Sequence, residues 1–179
     1  GSQVGPTPTF FFDYSVKDLR RDITCCPFQW TKGVQTLQSF KSWSFGKLRY
    51  EWTNRMIPTG NDDGINRQYM RYADIVLMRA ELENELNGAS AAVPYLTKIR
   101  NRAFATSDRA TEVTAYVAEA ALSKEKMFQA IVDERAYEFA GELIRKADLI
   151  RWGMLKSKMD ETKNKMKAIV SLTDYDSKH

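Results

Sequence analysis

Apolar and polar positions keep two different rhythms along this chain. Between Phe28 and Trp52 the rhythm is two: Trp43, Phe45, Leu48, Tyr50 and Trp52 are interleaved with Ser42, Ser44, Lys47, Arg49 and Glu51. Such alternation predicts half-buried strand, with Gly46 as a bulge or turn within it. From Tyr69 onward the rhythm is helical. Residues Tyr69 to Asn87 are apolar nearly all round between Tyr72 and Met78, which predicts a buried end, and then turn acidic at Glu81, Glu83 and Glu85. Gly88 supplies a stop, and Ser90 is placed to cap a second helix running to about Ala103, with Val93, Leu96, Ile99 and Ala103 facing inward. So short a turn makes the pair antiparallel. Residues 104–121 read as a connector with a short helical piece around Val113 to Leu122, and Ser123 then caps the next helix. Met154 to Ile169 reads as a surface helix with a narrow stripe of Met154, Leu155, Met159 and Met166, followed by a frayed tail.

The most informative stretch is Glu134 to Gly153. Wound at about 100° per residue, it places Glu134, Glu138, Arg145, Asp148 and Trp152 in one narrow arc. Phe128, Val132, Ala136, Phe139, Leu143 and Ile150 line the other side as a core-facing surface. Gly141 falls mid-way, so two helices meeting at a bend are also compatible. The charges admit two roles. Glu134 and Glu138 could serve as the carboxylate pair of a glycosidase. Alternatively, each carboxylate is answered by Arg135, Arg145 or Arg151 in a hydrogen-bonded brace. Arginine beside each carboxylate lowers its pKa, whereas a general acid needs it raised, so the brace is favoured.

Ahead of the alternating zone, Thr9-Phe10-Phe11-Phe12-Asp13-Tyr14 reads as a short strand or extended segment, and Ile23 to Cys26 as another. Asp18, Arg20, Arg21 and Asp22 between them suit a phosphate or carboxylate clamp, or more simply a self-paired turn. Cys25 and Cys26 are adjacent, a poor geometry for a disulfide and too few thiols for a metal site, so they read as small apolar fillers on opposite faces of a strand. Thr53 to Arg67 is a loop by composition. Its Asn61, Asp62 and Asp63 offer oxygen ligands but lack the spacing of an EF-hand, so no metal is expected.

Composition narrows the function classes. The chain has 179 residues, 43% hydrophobic and 28% charged, enough for one domain with a real core. A net charge of +4, from 27 basic and 23 acidic residues interspersed along the chain, does not indicate nucleic acid. The run Lys156 to Lys167 is broken by Asp160 and Glu161 and reads as a solvated face. The single histidine is His179, and neither a nucleophile–base pair nor a phosphate loop is visible, so no catalytic residue and no cofactor is expected. Trp30, Trp43 and Trp52 lie in the aromatic zone, where rings beside polar groups would suit sugar faces and a buried sheet face would account for them equally well. The fold expected is mainly α: a helical scaffold over 69–179 with an irregular, aromatic-rich β/loop lobe over 1–68.

Several of these stretches carry a family resemblance. Glu134, Arg135, Glu138, Phe139, Ala140, Glu142, Arg145, Asp148, Leu149, Arg151, Trp152 and Gly153 match, in register, the C-terminal signature of the SusD/RagB family; Leu143 stands where that family usually has glycine. RYADIVLMRAELENELNG followed by YLTKIRNRA, FGKLRYEW, and the Asp18–Asp22 element also resemble the family's segments, and the helix pair resembles a tetratricopeptide unit. The resemblance implies a SusD-like C-terminal domain, roughly the last third of a longer protein whose front would carry an export signal and a lipidated cysteine. Gly1-Ser2 has the form of a cloning remnant. It further implies a non-catalytic component that captures oligosaccharide, or another nutrient, at the outer-membrane surface beside a SusC-like TonB-dependent transporter. Membrane attachment would be only through a lipid anchor absent from this chain. Trp30, Trp43, Trp52, Asn61 and Asp62 are the candidate ligand residues; Glu134, Arg135, Glu138, Arg145, Asp148, Arg151 and Trp152 form the expected scaffold brace. The competing expectations are a tetratricopeptide-type protein-interaction scaffold and, less favoured, a glycosidase.

Overall fold

Small residues set the closest helix approach. Helix α3 (Tyr72–Asn87) and helix α4 (Ala89–Ala103) turn back on each other at Gly88, whose φ of +89° takes a backbone conformation that favours glycine. Ala73, Ala80, Ala89 and Ala92 are buried in the cluster between them, so the backbones pack closely. The computed structural model describes residues 4–39, 42–49, 52 and 68–171; the expected loop Thr53 to Arg67, with Asn61 and Asp62, lies outside the described residues. Helix α4 starts one residue ahead of Ser90, with Gly88 rather than serine at its cap.

The connector is more helical than its composition suggests. A 3₁₀ turn (Thr106–Asp108) and a π-helical turn (Ala110–Ala115) lead into α5 (Tyr116–Ala120). Helix α6 (Lys124–Glu138) follows, capped by the Ser123 hydroxyl, which accepts from the Lys126 amide at 3.2 Å. It supplies Met127, Ala130 and Ile131 to the core, where they meet Leu77, Leu96, Phe104 and Val113. Helix α6 is therefore a central element, packed by α3, α4 and α5.

The wheel drawn through Gly153 as one helix does not survive. Helix α6 ends at Glu138, and α7 (Arg145–Arg151) begins after a non-helical segment in which Gly141 and Leu143 have φ of +78° and +66°. A Cβ at Gly141 would lie 2.9 Å from Cγ of Phe45, so the β lobe is wedged against this break. The break turns Leu143 and Ile150, expected on the core side, out to solvent. Helix α8 (Leu155–Ser171) has no fully buried residue, the surface helix its pattern predicts.

In the N-terminal part the aromatic run is a helix, α1 (Pro8–Asp13), not an extended segment. Pro8 sits at its start, where a fixed φ and a missing N–H cost nothing. Phe10 and Tyr14 reach Tyr137, and the Tyr14 hydroxyl donates to the Tyr137 carbonyl at 2.9 Å while the Tyr137 hydroxyl returns to the Asp13 carbonyl at 2.8 Å. A short turn α2 (Arg21–Thr24) then replaces half of the strand expected at Ile23 to Cys26, leaving β1 (Cys25–Cys26). Strands β2 (Phe28–Thr31) and β3 (Val34–Leu37) form a hairpin pairing Phe28 with Leu37 and Thr31 with Val34. Lys32 and Gly33, both with positive φ, make the two-residue turn. Among the described residues of the longer alternation only β4 (Ser44–Phe45) is strand, paired antiparallel with β1. Cys25 is buried and Cys26 half-buried, as alternate faces of a strand require. The fold is mainly α, with two small two-stranded sheets among the described residues.

Candidate functional site

Glu134 and Glu138 lie one turn apart on α6 and so share a face. Because α6 is central, that face is inside the protein: Glu134 is 0% exposed. A bare carboxylate there would be prohibitive, and the chain supplies arginines from three other elements. Arg20 reaches Glu134 at 2.7 Å and Glu138 at 3.0 Å, while forking onto Asp18 at 2.7 and 3.0 Å. Arg100 of α4 donates to the second oxygen of Glu134 at 2.8 Å. Arg71 and Arg102 both donate to the remaining oxygen of Glu138, Arg71 at 2.9 Å. Arg71 continues to Glu142 at 2.8 Å, and Lys47 joins from the β lobe at 2.6 Å while donating to the Glu138 carbonyl at 2.5 Å.

A second set lies on the neighbouring face. Arg135 bridges Asp74 and Asp148, each at 2.7 Å. Arg151 links Asp148 at 3.0 Å to Glu81 at 2.7 Å, and the Trp152 indole donates to Glu81 at 2.9 Å. Phe139 holds Arg71 and Arg135 each 5.0 Å from its ring centre. The expected partners are thus corrected. Arg135 and Arg151 do answer Asp148, but Glu134 and Glu138 are answered from Arg20, Arg71, Arg100 and Arg102, and Arg145 donates instead to the Val132 carbonyl at 2.8 Å. Both readings of the Asp18–Asp22 segment meet in the structure, since Arg21 pairs with Asp22 while Arg20 clamps the distant carboxylates.

The electrostatics follow from this geometry. Burial works to raise the Glu138 pKa, yet hydrogen bonds from Arg102 and Arg71 and the field of Arg20 hold it below its ordinary value. Burial likewise opposes the charge on Glu81, and Arg151 and Trp152 overcome it. A Glu138 kept ionised in this way has no proton to give as a general acid at neutral pH. Burial lowers the Arg145 and Lys47 pKa values. Arg100 also donates twice to the Glu112 carbonyl, at 3.0 and 2.6 Å, within the π-helical turn.

The candidate ligand residues divide. Trp43 is 9% exposed, edge-on to Phe11 at 5.4 Å, with its indole donating to the Gln38 carbonyl at 3.2 Å; a ring packed in this way offers no face to a ligand. Trp30 and Trp52 are 59% and 57% exposed. Trp30 shares a hairpin face with Phe28, two residues away. The Arg49 guanidinium lies 5.6 Å from the Phe28 ring and 5.1 Å from the Trp52 ring, anchored by the carbonyls of Gly46 and Ile23 at 2.9 and 3.1 Å. Trp52 and Phe28 thus flank Arg49, and Trp30 is exposed farther along the strand that carries Phe28. Sequence reasoning named these rings but missed Arg49 and Phe28; the alternation put Arg49 on the polar side without saying which strand it would cross. It also missed the arginine partners of Glu134 and Glu138, though Arg71, Arg100 and Arg102 stood inside the stretches that carried the resemblance. Among the described residues no cluster of His, Cys, Asp or Glu is placed to hold a metal ion.

The chain is 48% identical over 90 residues, half its length, to SusD-like protein P25 of Formosa agariphila, and that match covers 16% of the relative. It is 28% identical over 156 residues, 82% of its length, to SusD-like protein P2 of the same organism, covering 30% of that protein. The chain therefore spans well under half the length of these curated relatives. No solved structure matches it. The SusD family profile matches residues 32–178, which takes in both helical stretches, the Glu138–Arg71–Arg102 cluster and the Arg135–Asp148 bridge; the protein belongs to the SusD family.

Proposed function

We propose that this chain is the C-terminal part of a non-catalytic binding component of an outer-membrane nutrient-uptake system, and that its ligand is an oligosaccharide. Residues 1–68 and 69–179 would act together as one SusD-like C-terminal domain, anchored at the cell surface by a lipid on the longer protein. A SusC-like TonB-dependent transporter would be the partner. The observation that carries the reading is the pairing of family membership with the exposed rings of Trp30 and Trp52, the latter 5.1 Å from the Arg49 guanidinium. Aromatic faces stack on the C–H patches of sugar rings, and neighbouring polar groups take the hydroxyls. Asn61 and Asp62, outside the described residues, would add hydrogen bonds. Glu134, Arg135, Glu138, Arg145, Asp148, Arg151 and Trp152 are assigned to the scaffold, because their polar atoms are spent on one another and on neighbouring elements.

Tryptophan fluorescence and calorimetry of the 179-residue protein against a panel of neutral oligosaccharides test this. Saturable quenching that is lost in Trp30→Ala or Trp52→Ala, and retained in a folded Glu138→Gln variant, is expected. A folded protein silent across the panel would overturn the assignment of ligand contacts to this surface. Hydrolysis of any panel member that Glu138→Gln abolishes would overturn the non-catalytic reading.

A further inference from the structure

The first turn of α3 and the last turns of α4 enclose a groove of about 530 Å³, within the range of small-ligand sites. Ala73 and Ile99, both buried, form its floor. Tyr72, expected to be buried with this end of the helix, stands 68% exposed at its edge. The charge of the groove is one-sided. Lys98 and Arg102, one turn apart on α4, line it together with Arg71, and among the described residues no carboxylate does.

The acids behind these cations are already spent. Arg71 and Arg102 donate to one oxygen of Glu138 and Arg20 to the other, so one negative charge is divided among three guanidiniums. Arg102 commits a single nitrogen to it, and its side chain stays 58% exposed. Arg20 can be matched with Asp18, Arg71 with Glu142, Arg100 with Glu134 and Arg102 with Glu138. That matching uses every acid of the cluster and leaves Lys47 and Lys98 over, of which Lys98 lines the groove. The Lys98 ammonium donates to the Tyr72 hydroxyl at 3.0 Å and lies 4.8 Å from that ring's centre, with no carboxylate partner among the described residues. A cation that the fold leaves unanswered in a concave site draws an anion from outside.

The walls beside the charge narrow the class. Ile99, Met70 and the Tyr72 ring offer apolar surface, and the Gln68 amide offers a donor and an acceptor. A sugar acid uses all three features: its carboxylate meets the cations, its C–H face the ring and floor, and its hydroxyls the amide. A second groove of about 340 Å³ shares Tyr72 and Lys98 and continues past Tyr95 and Arg79, which leaves room for a further sugar residue. We propose that the groove between α3 and α4 binds the carboxylate of an acidic sugar residue against Lys98 and Arg102, so that the oligosaccharide taken by this protein carries uronates. The inference rests on the oligosaccharide reading and adds a site built from the helix pair to the rings of the β lobe.

Calorimetry of the 179-residue protein with trigalacturonate, its neutral methyl ester and sodium sulfate tests this. Lys98 and Lys156 are both exposed, and a thermal melt by circular dichroism checks that Lys98→Gln and the control Lys156→Gln stay folded. Trigalacturonate should bind saturably, about tenfold more weakly in Lys98→Gln, the loss of one charge-assisted hydrogen bond, and unchanged in Lys156→Gln. Equal affinity for the ester, or for trigalacturonate in folded Lys98→Gln, overturns the proposal. Sulfate bound as tightly as trigalacturonate overturns the assignment to a sugar. Neutral oligosaccharides that quench Trp30 or Trp52 while trigalacturonate is silent overturn this inference and leave the oligosaccharide reading standing; silence toward every saccharide overturns both.

Discussion

The charges around α6 and the rings of the β2–β3 hairpin obey opposite rules within one chain. Glu134 and Glu138, both charged carboxylates, are sealed inside and satisfied by arginines from α4, from Arg71 and from the Arg20 segment. Trp30 and Trp52, whose rings would gain most from burial, are left in solvent. Hydrophobicity alone predicts the reverse of both. Buried ion pairs contribute little over apolar packing, but losing one partner strands the others, so they fix which segments meet. Exposed tryptophans contribute little to folding and remain available to a ligand. The difference separates what the chain uses to hold its shape from what it presents outward.

The largest effect expected is at the sealed end. Glu134→Ala leaves Arg20 and Arg100 facing a vacated site, and we expect a loss of about 3–5 kcal/mol in urea unfolding. A loss under about 1 kcal/mol would show that the site admits water and that the contrast is overdrawn. Acid should expose the same dependence. The folded pKa of Glu138 lies below its ordinary 4.5, so its contribution is complete above about pH 4.5 and is lost as pH falls through the lowered value. Unfolding midpoints measured from pH 7 to pH 3 should fall in that window, and less steeply in Glu138→Gln.

Trp43→Ala sharpens the comparison within one residue type. As the packed tryptophan it should cost about 3 kcal/mol by thermal denaturation, whereas Trp30→Ala on the hairpin should stay within about 0.5 kcal/mol. Equal costs would erase the distinction between them. Leu143 offers a smaller effect of opposite sign. Its φ of +66° strains a leucine, and its side chain is 78% exposed and gives up little packing. Leu143→Gly should therefore raise stability by about 1 kcal/mol, read from the shift of the urea midpoint at constant slope.

Much of the helical part was legible because its signals are local. Ser123 caps α6, Gly88 ends α3, and the stripe of Leu96, Ile99 and Ala103 turns inward as its spacing says. The N-terminal part was less so. A run of aromatics is ambiguous between strand and helix, and the Thr9–Tyr14 run resolved to a helix because Phe10 and Tyr14, one turn apart, both find Tyr137. Among its described residues the alternation from Ser42 to Trp52 contributed only Ser44–Phe45 to a strand, whose partner is the two-residue strand Cys25–Cys26. The candidate site followed the same division. The tryptophans could be named from sequence, but which of them face solvent depends on Phe11 closing over Trp43 and Arg49 crossing to Phe28.

The sequence by itself determined the family signature, the helix pair, the caps and stops, and the residues that carry charge in the Glu134–Gly153 stretch. Those depend on periodicity, on backbone preferences within a few residues, and on motif order. Only the tertiary structure decided that α6 would be surrounded, that its carboxylates would be met by Arg20, Arg71, Arg100 and Arg102, and that the helix would break where Phe45 abuts Gly141. A charge on a helical wheel has no defined surroundings until the rest of the chain packs. The same glutamate is a solvated surface group or a sealed junction according to what arrives opposite it.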